Sequence, residues 1–506
     1  MYKVVISICA LLQVGWAVLP PGQDKCARVS DAVAGGGGVL CKVRTLDSDG
    51  GNIATVSSDI SRLSIECNHL LLFESILRAY YFNQFSGLMD LTISNCKLLQ
   101  LPENTFQGLN KLKRLNIRSK NYEWSPTKNL EVTINTFNGL TELQSLQHLY
   151  LQHNNITDIS SEAFNGLISL RVLNISHNQL QVLPEGIFSN SRELREIYLN
   201  DNALIGLARG IFHRLEQLIV LNLSSNQLSS EHIDDGTFVG LIRLIVLNLS
   251  NNAMTKIDGK TFKDLYFLQI LNLRNNSIGY IEENAFLPLY NLHTLNLAEN
   301  RLHTIDQSLF NGLFVLSKLT LNNNLLVNID PKAFKNCSDL KELDLSSNQL
   351  MDVPEALWEL SLLKTLDLGE NQISDFRNGS FKNLNQLTGL RLIDNQIGNL
   401  SVGMFWDLPS LQVLNIAKNK IHAIERGTGT HVPLTNLKTT DFLCKYETHC
   451  FAICHCCDFD ACDCEMTCPQ NCTCYHDPLW NTNVVDCSGQ STGEIPNKIP
   501  MDATEV

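Results

Sequence analysis

The stretch Leu170-Arg-Val-Leu173-Asn-Ile175-Ser-His-Asn178-Gln-Leu180 decides the fold, because its spacing of leucines before an asparagine recurs along most of the chain. The asparagine returns twelve times, and ten of the eleven intervals are 24 residues long or within one residue of it. Weaker copies centred on Asn68, Cys96 and Lys120 bring the total to about fifteen. The twelve are Asn154, Asn178, Asn202, Asn226, Asn252, Asn276, Asn300, Asn324, Asn348, Asn371, Asn395 and Asn419.

A period of this length with this pattern predicts a leucine-rich repeat solenoid. We expect an α/β fold in which each repeat adds one short strand to a parallel sheet on the concave face. The convex side should be irregular or briefly helical, with disulfide-rich caps at the ends. Alternate leucines such as Leu221 and Leu223 should point inward. The asparagine lies where the chain leaves the strand, so we expect its side chain to satisfy backbone groups of that turn.

A second periodic set of residues supports the same repeat boundaries. Ten phenylalanines recur six residues before the first leucine of the next repeat, which predicts a buried aromatic stack on the convex side. They are Phe164, Phe188, Phe212, Phe238, Phe262, Phe286, Phe310, Phe334, Phe381 and Phe405.

Composition and charge narrow the classes of function. The net charge of −13 argues against a nucleic-acid partner, because no basic face is available for phosphates. Lys3, the apolar run from Val4 to Leu12 and the sequence Gly15-Trp16-Ala17 predict a cleaved secretory signal. No motif for nucleophilic, metal or cofactor chemistry occurs, so we expect no enzymatic activity and no cofactor.

Cysteines cluster at the two ends of the array, as expected of disulfide-stapled caps in a secreted chain. Cys337 stands apart in a leucine position and is predicted to be a buried free thiol, in preference to an exposed reactive one. Histidines near 444–476 make zinc an alternative for the second cluster, but the spacing does not form two Cys-x-x-Cys pairs. The predicted disulfide cysteines are Cys26, Cys41, Cys67, Cys96, Cys444, Cys450, Cys454, Cys456, Cys457, Cys462, Cys464, Cys468, Cys472, Cys474 and Cys487.

The cysteine-rich end contains two modules in succession. Cys468-Pro469-x-x-Cys472-x-Cys474, followed by Cys487, has the form of an N-flanking cap, and a C-flanking cluster precedes it. The resulting organisation is a signal peptide (1–17), a first cap (18–59), the repeat array (60–421), a partial C-flanking cap (422–466), a second N-flanking cap (467–490) and the start of a second array (491–506).

This back-to-back arrangement resembles the Toll receptor ectodomain. The run CHCCDFDACDCEMTCP is similar to that of the long arthropod Toll receptors of the Tollo and 18-wheeler group. The resemblance implies a truncated receptor ectodomain that binds a secreted cystine-knot protein of the Spätzle type or another cell-surface receptor. It also implies homo- or heterodimerisation on ligand binding, and signalling in immunity or development. The alternative is a secreted leucine-rich repeat adhesion, matrix or decoy protein.

The chain departs from the family pattern between 421 and 444, where an opening cysteine pair is missing. Seven cysteines then remain from Cys444 to Cys464, an odd number that predicts one without a local partner. We expect an internal deletion or a skipped exon at this junction. The end at Val506 predicts a truncated second array. The resemblance implies that the full-length receptor lies at the extracellular face of the plasma membrane, whereas the chain as given is expected to be secreted.

The outward strand positions offer a candidate concave binding surface. An apolar stripe, interrupted by Glu196, is either a binding face or a result of strand propensity alone. The candidate surface residues are Val172, Tyr198, Val220, Val246 and Ile270. Nine Asn-x-Ser/Thr sequons predict glycans, three of them beside this stripe, where they would keep a large ligand away. The sequons are at Asn155, Asn174, Asn222, Asn248, Asn275, Asn336, Asn378, Asn399 and Asn471.

Overall fold

The structure is a computed structural model. It describes residues 25–29, 38–47, 53–70, 73–125, 127–132, 143–374, 376, 379–401, 403–426, 430–433, 473–477 and 482–486. The predicted signal, the cysteines from Cys444 to Cys472, Cys487 and the tail 491–506 lie outside the described residues. The chain divides into two compact units, Met1–Ile397 with Gly403–Asn419, and Gly398–Val402 with Lys420–Val506.

The first unit is built on one sheet of seventeen strands. The first strand pairs antiparallel with the second, and every later pairing is parallel between strands that follow each other along the sheet. The strands are Lys25–Val29, Gly38–Val43, Arg62–Cys67, Asp90–Ser94, Arg114–Arg118, His148–Tyr150, Val172–Asn174, Glu196–Tyr198, Val220–Asn222, Val246–Asn248, Ile270–Asn272, Thr294–Asn296, Lys318–Thr320, Glu342–Asp344, Thr365–Asp367, Gly389–Arg391 and Val413–Asn415.

The return segments of the repeats carry little regular structure. Two short parallel pairs join Lys256–Ile257 to Tyr280–Ile281 and Thr304–Ile305 to Asn328–Ile329. One helical turn covers Asn121–Trp124, and 3-10 turns cover Leu143–Ser145 and Glu355–Glu359. The predicted leucine-rich repeat solenoid is therefore confirmed. None of the helices in the described part of the chain has the length and apolar character needed to cross a bilayer.

The core lies between the sheet and the return segments. Leucines at the inward strand positions, such as Leu221, Leu247 and Leu271, are fully buried. The predicted phenylalanine column is also confirmed, because successive rings stack at about one repeat spacing: Phe212 and Phe238 lie 6.4 Å apart, and Phe262 and Phe286 6.2 Å apart. Each fully buried side chain of this size contributes roughly 1.5–3 kcal/mol before chain entropy is subtracted.

Cys337 occupies a leucine position in this core, as predicted. Its side chain is fully buried, and it is the free cysteine among the described residues. Burial raises the pKa of its thiol to about 12, so at neutral pH it stays a protonated apolar filler.

The consensus asparagines form a continuous hydrogen-bonded ladder. The Nδ2 atom of Asn276 donates to the carbonyls of Leu249 in the preceding repeat and Leu273 in its own, each at 3.0 Å. Its Oδ1 atom accepts the backbone N–H of Met254 at 3.1 Å. The same pattern holds from Asn178 to Asn419. This confirms that the asparagines are structural: each joins two repeats and leaves their turn groups paired.

The residue before each of the twelve consensus asparagines has a left-handed backbone. The φ values run from 51° at Asn275 to 61° at His153. Short polar side chains adopt this conformation at lower cost than branched ones. Many of these positions hold Asn, Asp, Ser or His, a signal that the leucine pattern alone does not reveal.

The N-terminal end of the sheet is closed by two disulfides. Cys26 pairs with Cys41, and Cys67 pairs with Cys96. The strand Gly38–Val43 pairs in parallel with Arg62–Cys67, so the segment predicted as a separate cap, 18–59, contributes two strands to the sheet.

The second unit contains a three-stranded sheet and a hairpin among its described residues. Asn399–Leu400 pairs in parallel with Ala423–Arg426, which pairs antiparallel with Thr430–Pro433. The hairpin pairs Thr473–Asp477 with Thr482–Asp486.

Candidate ligand-binding face

The outward side chains of the sheet form one long surface, called here the sheet face. Along each strand, buried leucines alternate with outward residues, and the parallel register aligns these outward residues in columns. The strands Arg62–Cys67, Asp90–Ser94, Arg114–Arg118 and His148–Tyr150 are the N-terminal rows. The five strands from Val172–Asn174 to Ile270–Asn272 are the middle rows.

The predicted apolar stripe lies in the middle rows and is less open than expected. Val172 is buried at 7% exposure, Val220 and Val246 are half-buried, and Ile270 alone of the four is exposed, at 41%. A broad apolar contact surface is therefore absent from this part of the sheet face.

Tyr198 lies one column away from that stripe. It pairs in register with Asn174 and Asn222. Its hydroxyl donates to Glu196 Oε2 at 2.9 Å, and burial together with this bond raises its pKa to about 12. Tyr198 is therefore fixed within its own repeat.

The three sequons beside the stripe serve the turn at the end of each strand. The Oδ1 atom of Asn222 accepts the backbone N–H of Ser224 at 3.1 Å and its hydroxyl at 2.8 Å, and Asn174 and Asn248 do the same with Ser176 and Ser250. Asn272 closes the same turn on Arg274 without being a sequon. The asparagine at this position is thus a feature of the repeat, whether or not it carries a glycan.

The remaining sequons have different surroundings. Asn155 is buried at 3% exposure, and its Nδ2 atom donates to the carbonyl of Lys128 at 3.0 Å, which leaves no room for a glycan. Asn275 and Asn399 are exposed, and Asn336 is half-buried. Asn378 and Asn471 lie outside the described residues.

The N-terminal rows contain a polar cavity of about 360 Å³ on the sheet face, called here the polar groove. Its walls come from four neighbouring strands and from Gln152, which lies two residues beyond the last of them. The lining residues are Arg62, Ser64, Asp90, Thr92, Arg114, Asn116, Tyr150 and Gln152.

Several polar atoms in and beside this groove are buried without a hydrogen-bond partner among the described residues. They are Asn116 Oδ1, Arg118 Nε, His148 Nδ1 and Gln152 Oε1. Asn116 lies opposite Tyr150 in the sheet register, and Arg114 lies opposite His148. A buried polar group without a partner is destabilising by about 1–3 kcal/mol, so these acceptors and the Arg118 Nε–H donor represent unused hydrogen-bonding capacity among the described residues.

The charges around the polar groove are partly compensated. Arg114 Nη1 lies 3.8 Å from Asp90 Oδ2. Burial raises the pKa of Asp90, and the nearby Arg114 opposes that rise. Burial and Arg114 lower the pKa of His148, whose ring stacks on Tyr150 with 6.3 Å between the centroids. Neutral His148 can therefore accept or donate a hydrogen bond at neutral pH.

A histidine pair borders the groove at the exit edge of the sheet. The rings of His153 and His177 stack with centroids 4.4 Å apart, and His177 Nδ1 lies 3.6 Å from Asp201 Oδ2. Burial and the charge of Arg118 lower the pKa of His153 to about 4. Neutral His153 therefore places a polar, uncharged ring close to Arg118.

A second cavity on the sheet face, of about 670 Å³, lies over the strands from Thr294–Asn296 to Val413–Asn415. Its charged groups are paired within the chain: Lys318 Nζ lies 2.6 Å from Glu342 Oε2, and Arg391 Nη1 lies 3.3 Å from Asp367 Oδ2. Burial raises the pKa of Asp367. Within the described ranges, no group of three or more His, Cys, Asp or Glu side chains is placed to hold a metal ion.

The polar groove was not predicted from the sequence. Most outward residues of the N-terminal rows belong to the weak copies centred on Asn68, Cys96 and Lys120, where the repeat pattern is least regular. The signal was present in Arg114, Asn116 and Arg118, three polar residues at alternate positions of one strand.

Comparison with known proteins agrees with this architecture. The family model described as Leucine rich repeat matches residues 144–204, 314–373 and 361–421, and a BspA type Leucine rich repeat region matches 207–341. Together these matches span most of the array and more than half of the chain. The fold is similar to that in the Toll–Spätzle complex of Drosophila, which superposes with a TM-score of 0.67 at 21% identity and covers 88% of this chain and 64% of that chain. A leucine-rich repeat protein of Leptospira interrogans gives a TM-score of 0.55 at 23% identity, covering 77% of this chain and 95% of that chain.

The sequence match is closer over a shorter stretch. Toll-like receptor 7 of Drosophila melanogaster is 70% identical over 74 residues, which are 15% of this chain and 5% of that receptor. The chain thus matches a small part of the receptor's length. The family-model matches identify the chain as a leucine-rich repeat protein, and one short stretch of it is similar to a Toll-like receptor.

Proposed function

We propose that this chain is the ligand-binding ectodomain of a Toll-type receptor of the long arthropod group, and that it recognises a secreted protein outside the cell. The observation that carries the proposal is the polar groove on the sheet face, together with the buried polar atoms in and beside it that have no partner among the described residues. A rigid repeat scaffold with such a site is suited to protein recognition. It is not suited to catalysis, which needs convergent reactive groups.

The residues of the groove favour a particular kind of ligand surface. Arg62 and Arg114 in the groove and Arg118 beside it supply cationic donors, whereas Asn116 Oδ1 and Gln152 Oε1 are acceptors that could take donors from a ligand. A protein surface that carries carboxylates beside backbone or amide N–H groups meets both demands. Because the whole chain is acidic at −13, this local basic region also sets the position at which an acidic ligand docks.

The middle rows are expected to stay outside the contact. Asn174, Asn222 and Asn248 present sequons on the sheet face, and glycans there would hold a large ligand away from it. Ligand contact is then restricted to the N-terminal rows. Peptide mapping that found these three sites bare would remove this restriction.

The proposed class of partner comes from a protein of similar fold. Toll, whose repeat array superposes on this one, was solved in complex with Spätzle. We infer that the ligand here is a Spätzle-like cystine-knot protein or another cell-surface receptor. Binding is expected to bring receptors together as homo- or heterodimers and to signal in innate immunity or development.

The test compares two arginines that occur in the same local sequence, Asn-x-Arg. Arg118 lies two residues after Asn116, beside the polar groove, whereas Arg274 follows Asn272 in the middle rows and pairs with Glu299 at 2.6 Å. Binding of recombinant Spätzle-type dimers to the glycosylated chain is measured by surface plasmon resonance. We expect Arg118→Ala to weaken binding by roughly 10- to 100-fold, and Arg274→Ala to leave it within about twofold.

Equal losses for the two variants would remove the groove as the binding site. Binding of none of the dimers by the wild-type chain would contradict the ligand class. A cell-surface partner captured at the groove, with the same sensitivity to Arg118→Ala, would support the receptor proposal with the other ligand.

A further inference from the structure

A strip of exposed apolar side chains runs across four consecutive repeats on the edge of the array where the chain enters the strands. It is called here the aromatic strip. Its main column is Ile242, Tyr266, Tyr290 and Phe314, each four residues before a strand and 24 residues from the next. Phe267 and Leu287 widen it. These six side chains are 38–56% exposed.

The unbroken run is confined to these four repeats, because Arg192 and Glu216 separate it from Ile168, a further exposed apolar residue of the column. The same column holds Arg192 and Glu216 on one side and Ser338, Ser361 and Asn385 on the other. Each strip residue in the column directly follows a buried leucine, such as Leu265 before Tyr266, so the fold does not require an apolar side chain there. A contiguous exposed patch of this kind indicates a binding surface.

The strip is held rigidly before any partner arrives. The rings of Tyr266 and Tyr290 stack with centroids 6.1 Å apart. Asn291 Nδ2 donates to the carbonyl of Tyr266 at 2.7 Å and joins the two loops. A preorganised surface loses little conformational entropy on binding.

The charges that border the strip have partners within the chain. Arg243 Nη1 donates to Gln217 Oε1 at 2.6 Å, Lys263 Nζ lies 3.5 Å from Asp235 Oδ2, and Asp264 Oδ2 accepts the backbone N–H of Gly240 at 3.0 Å. The side chains of the strip are themselves uncharged, and these bordering charged groups are held by hydrogen bonds or an ion pair. Such a surface can meet an identical surface without repulsion between like charges.

We propose that the aromatic strip binds the same strip on a second copy of this chain, in antiparallel orientation about a two-fold axis. The column reads aliphatic, Tyr, Tyr, Phe, which is nearly symmetric about its midpoint. An axis between Tyr266 and Tyr290 places Tyr266 of one copy on Tyr290 of the other and Ile242 on Phe314. This is the pairing that a two-fold interface requires.

The size of the strip fits this occupant. With large aromatic side chains each offering about 150–250 Å² when fully exposed, the observed exposures leave about 500 Å² of apolar surface per copy. Two copies would bury about 1,000 Å² in total, which is the lower bound for a specific interface. The repeats of the strip carry no sequon on this edge, and Asn336 is the nearest one beyond Phe314.

The test is sedimentation velocity of the glycosylated full chain at about 1–100 μM, the range in which an interface of this size should be partly occupied. We expect the wild-type chain to self-associate, and Tyr266→Glu and Tyr290→Arg each to weaken self-association at least about tenfold, because each buries an unpaired charge. Mixing the two variants should restore dimers, since the antiparallel register places Glu against Arg once and Tyr against Tyr once. Val182→Glu is the matched control, because Val182 is 64% exposed but lies outside the strip.

A wild-type chain that stays monomeric throughout this range would overturn the proposal, as would an equal effect of Val182→Glu. Failure of the mixed variants to associate would overturn it as well, because the antiparallel register is part of it. The proposal does not rest on the ligand class. Strip variants should keep the wild-type affinity per chain for the Spätzle-type dimers, so loss of self-association and loss of ligand binding are read out separately.

Discussion

Two asparagines at the same position of the repeat, Asn116 in the N-terminal rows and Asn222 in the middle rows, have opposite surroundings. The Oδ1 atom of Asn222 accepts two hydrogen bonds from Ser224. The Oδ1 atom of Asn116 is buried and has no partner among the described residues. The same residue type is therefore satisfied by its own repeat in one region and left to an outside group in the other.

Strand length explains the difference. The strand of Asn222 ends at that residue, so the N–H of Ser224 lies in a turn and is free to bond back. The strand of Asn116 continues to Arg118, which is paired with Ser94 in the sheet. The longer strand of Asn116 thus removes the internal donor. The irregular repeats of the N-terminal rows are therefore the ones with unused hydrogen-bonding capacity.

The sharpest contrast is expected in glycan occupancy, which depends on a free amide nitrogen. The Nδ2 atom of Asn155 is buried and donates to Lys128, whereas Asn222 is only half-buried and its Nδ2 makes no hydrogen bond within the described ranges. We predict that Asn174, Asn222 and Asn248 carry glycans and that Asn155 carries none. Peptide mapping by mass spectrometry measures all four in one digest, and a glycan on Asn155 would contradict this account.

The next largest effect is expected in the free energy of unfolding. It compares Asn276, one of the consensus asparagines, with Asn116, which lines the polar groove. Asn276→Ala removes two donated bonds and one accepted bond in a buried site, so we predict a loss of about 3 kcal/mol in the free energy of unfolding. Asn116→Leu removes an oxygen that has no partner, so its cost should be below about 1 kcal/mol. Urea unfolding followed by circular dichroism measures both. Similar losses for the two variants would show that Asn116 is as much a structural residue as Asn276.

Much of the fold could be predicted from the sequence, because the leucine, asparagine and phenylalanine columns are set by local spacing. Cys337 was placed correctly for the same reason, since it fills a column. The candidate site was harder. The openness of Val172 depends on its neighbours in adjacent repeats, and the unpartnered atoms of Asn116 and Arg118 depend on where strands end. Neither is visible in the period of one repeat.

A smaller effect is expected from His153, at the edge of the polar groove. Its pKa is about 4 in the folded chain, well below its ordinary value of 6.5, so between these values the unfolded chain binds more protons. The folded state therefore loses stability as pH falls from about 6.5 to 4, and the loss is complete below that window. Because the ring is partly exposed, we predict about 1 kcal/mol after allowance for solvent screening.

His153→Asn removes this titration. Thermal or urea unfolding at pH 7.5 and at pH 4.5 should therefore show a smaller pH difference for the variant than for the wild-type chain. Parallel pH profiles of the two proteins would contradict the assignment to His153.

The central claim is that ligand binds the N-terminal rows and avoids the middle rows, and a pair of introduced glycans tests it most directly. Arg118→Ser completes an Asn-x-Ser sequon at Asn116, and Arg274→Ser completes one at Asn272, the same position in the middle rows. Mass spectrometry first confirms that each new site is occupied, and surface plasmon resonance with the Spätzle-type dimers then gives the affinities. We predict that the glycan at Asn116 abolishes binding and that the glycan at Asn272 leaves it unchanged. Unchanged binding with an occupied Asn116, or loss of binding with an occupied Asn272, would contradict the account.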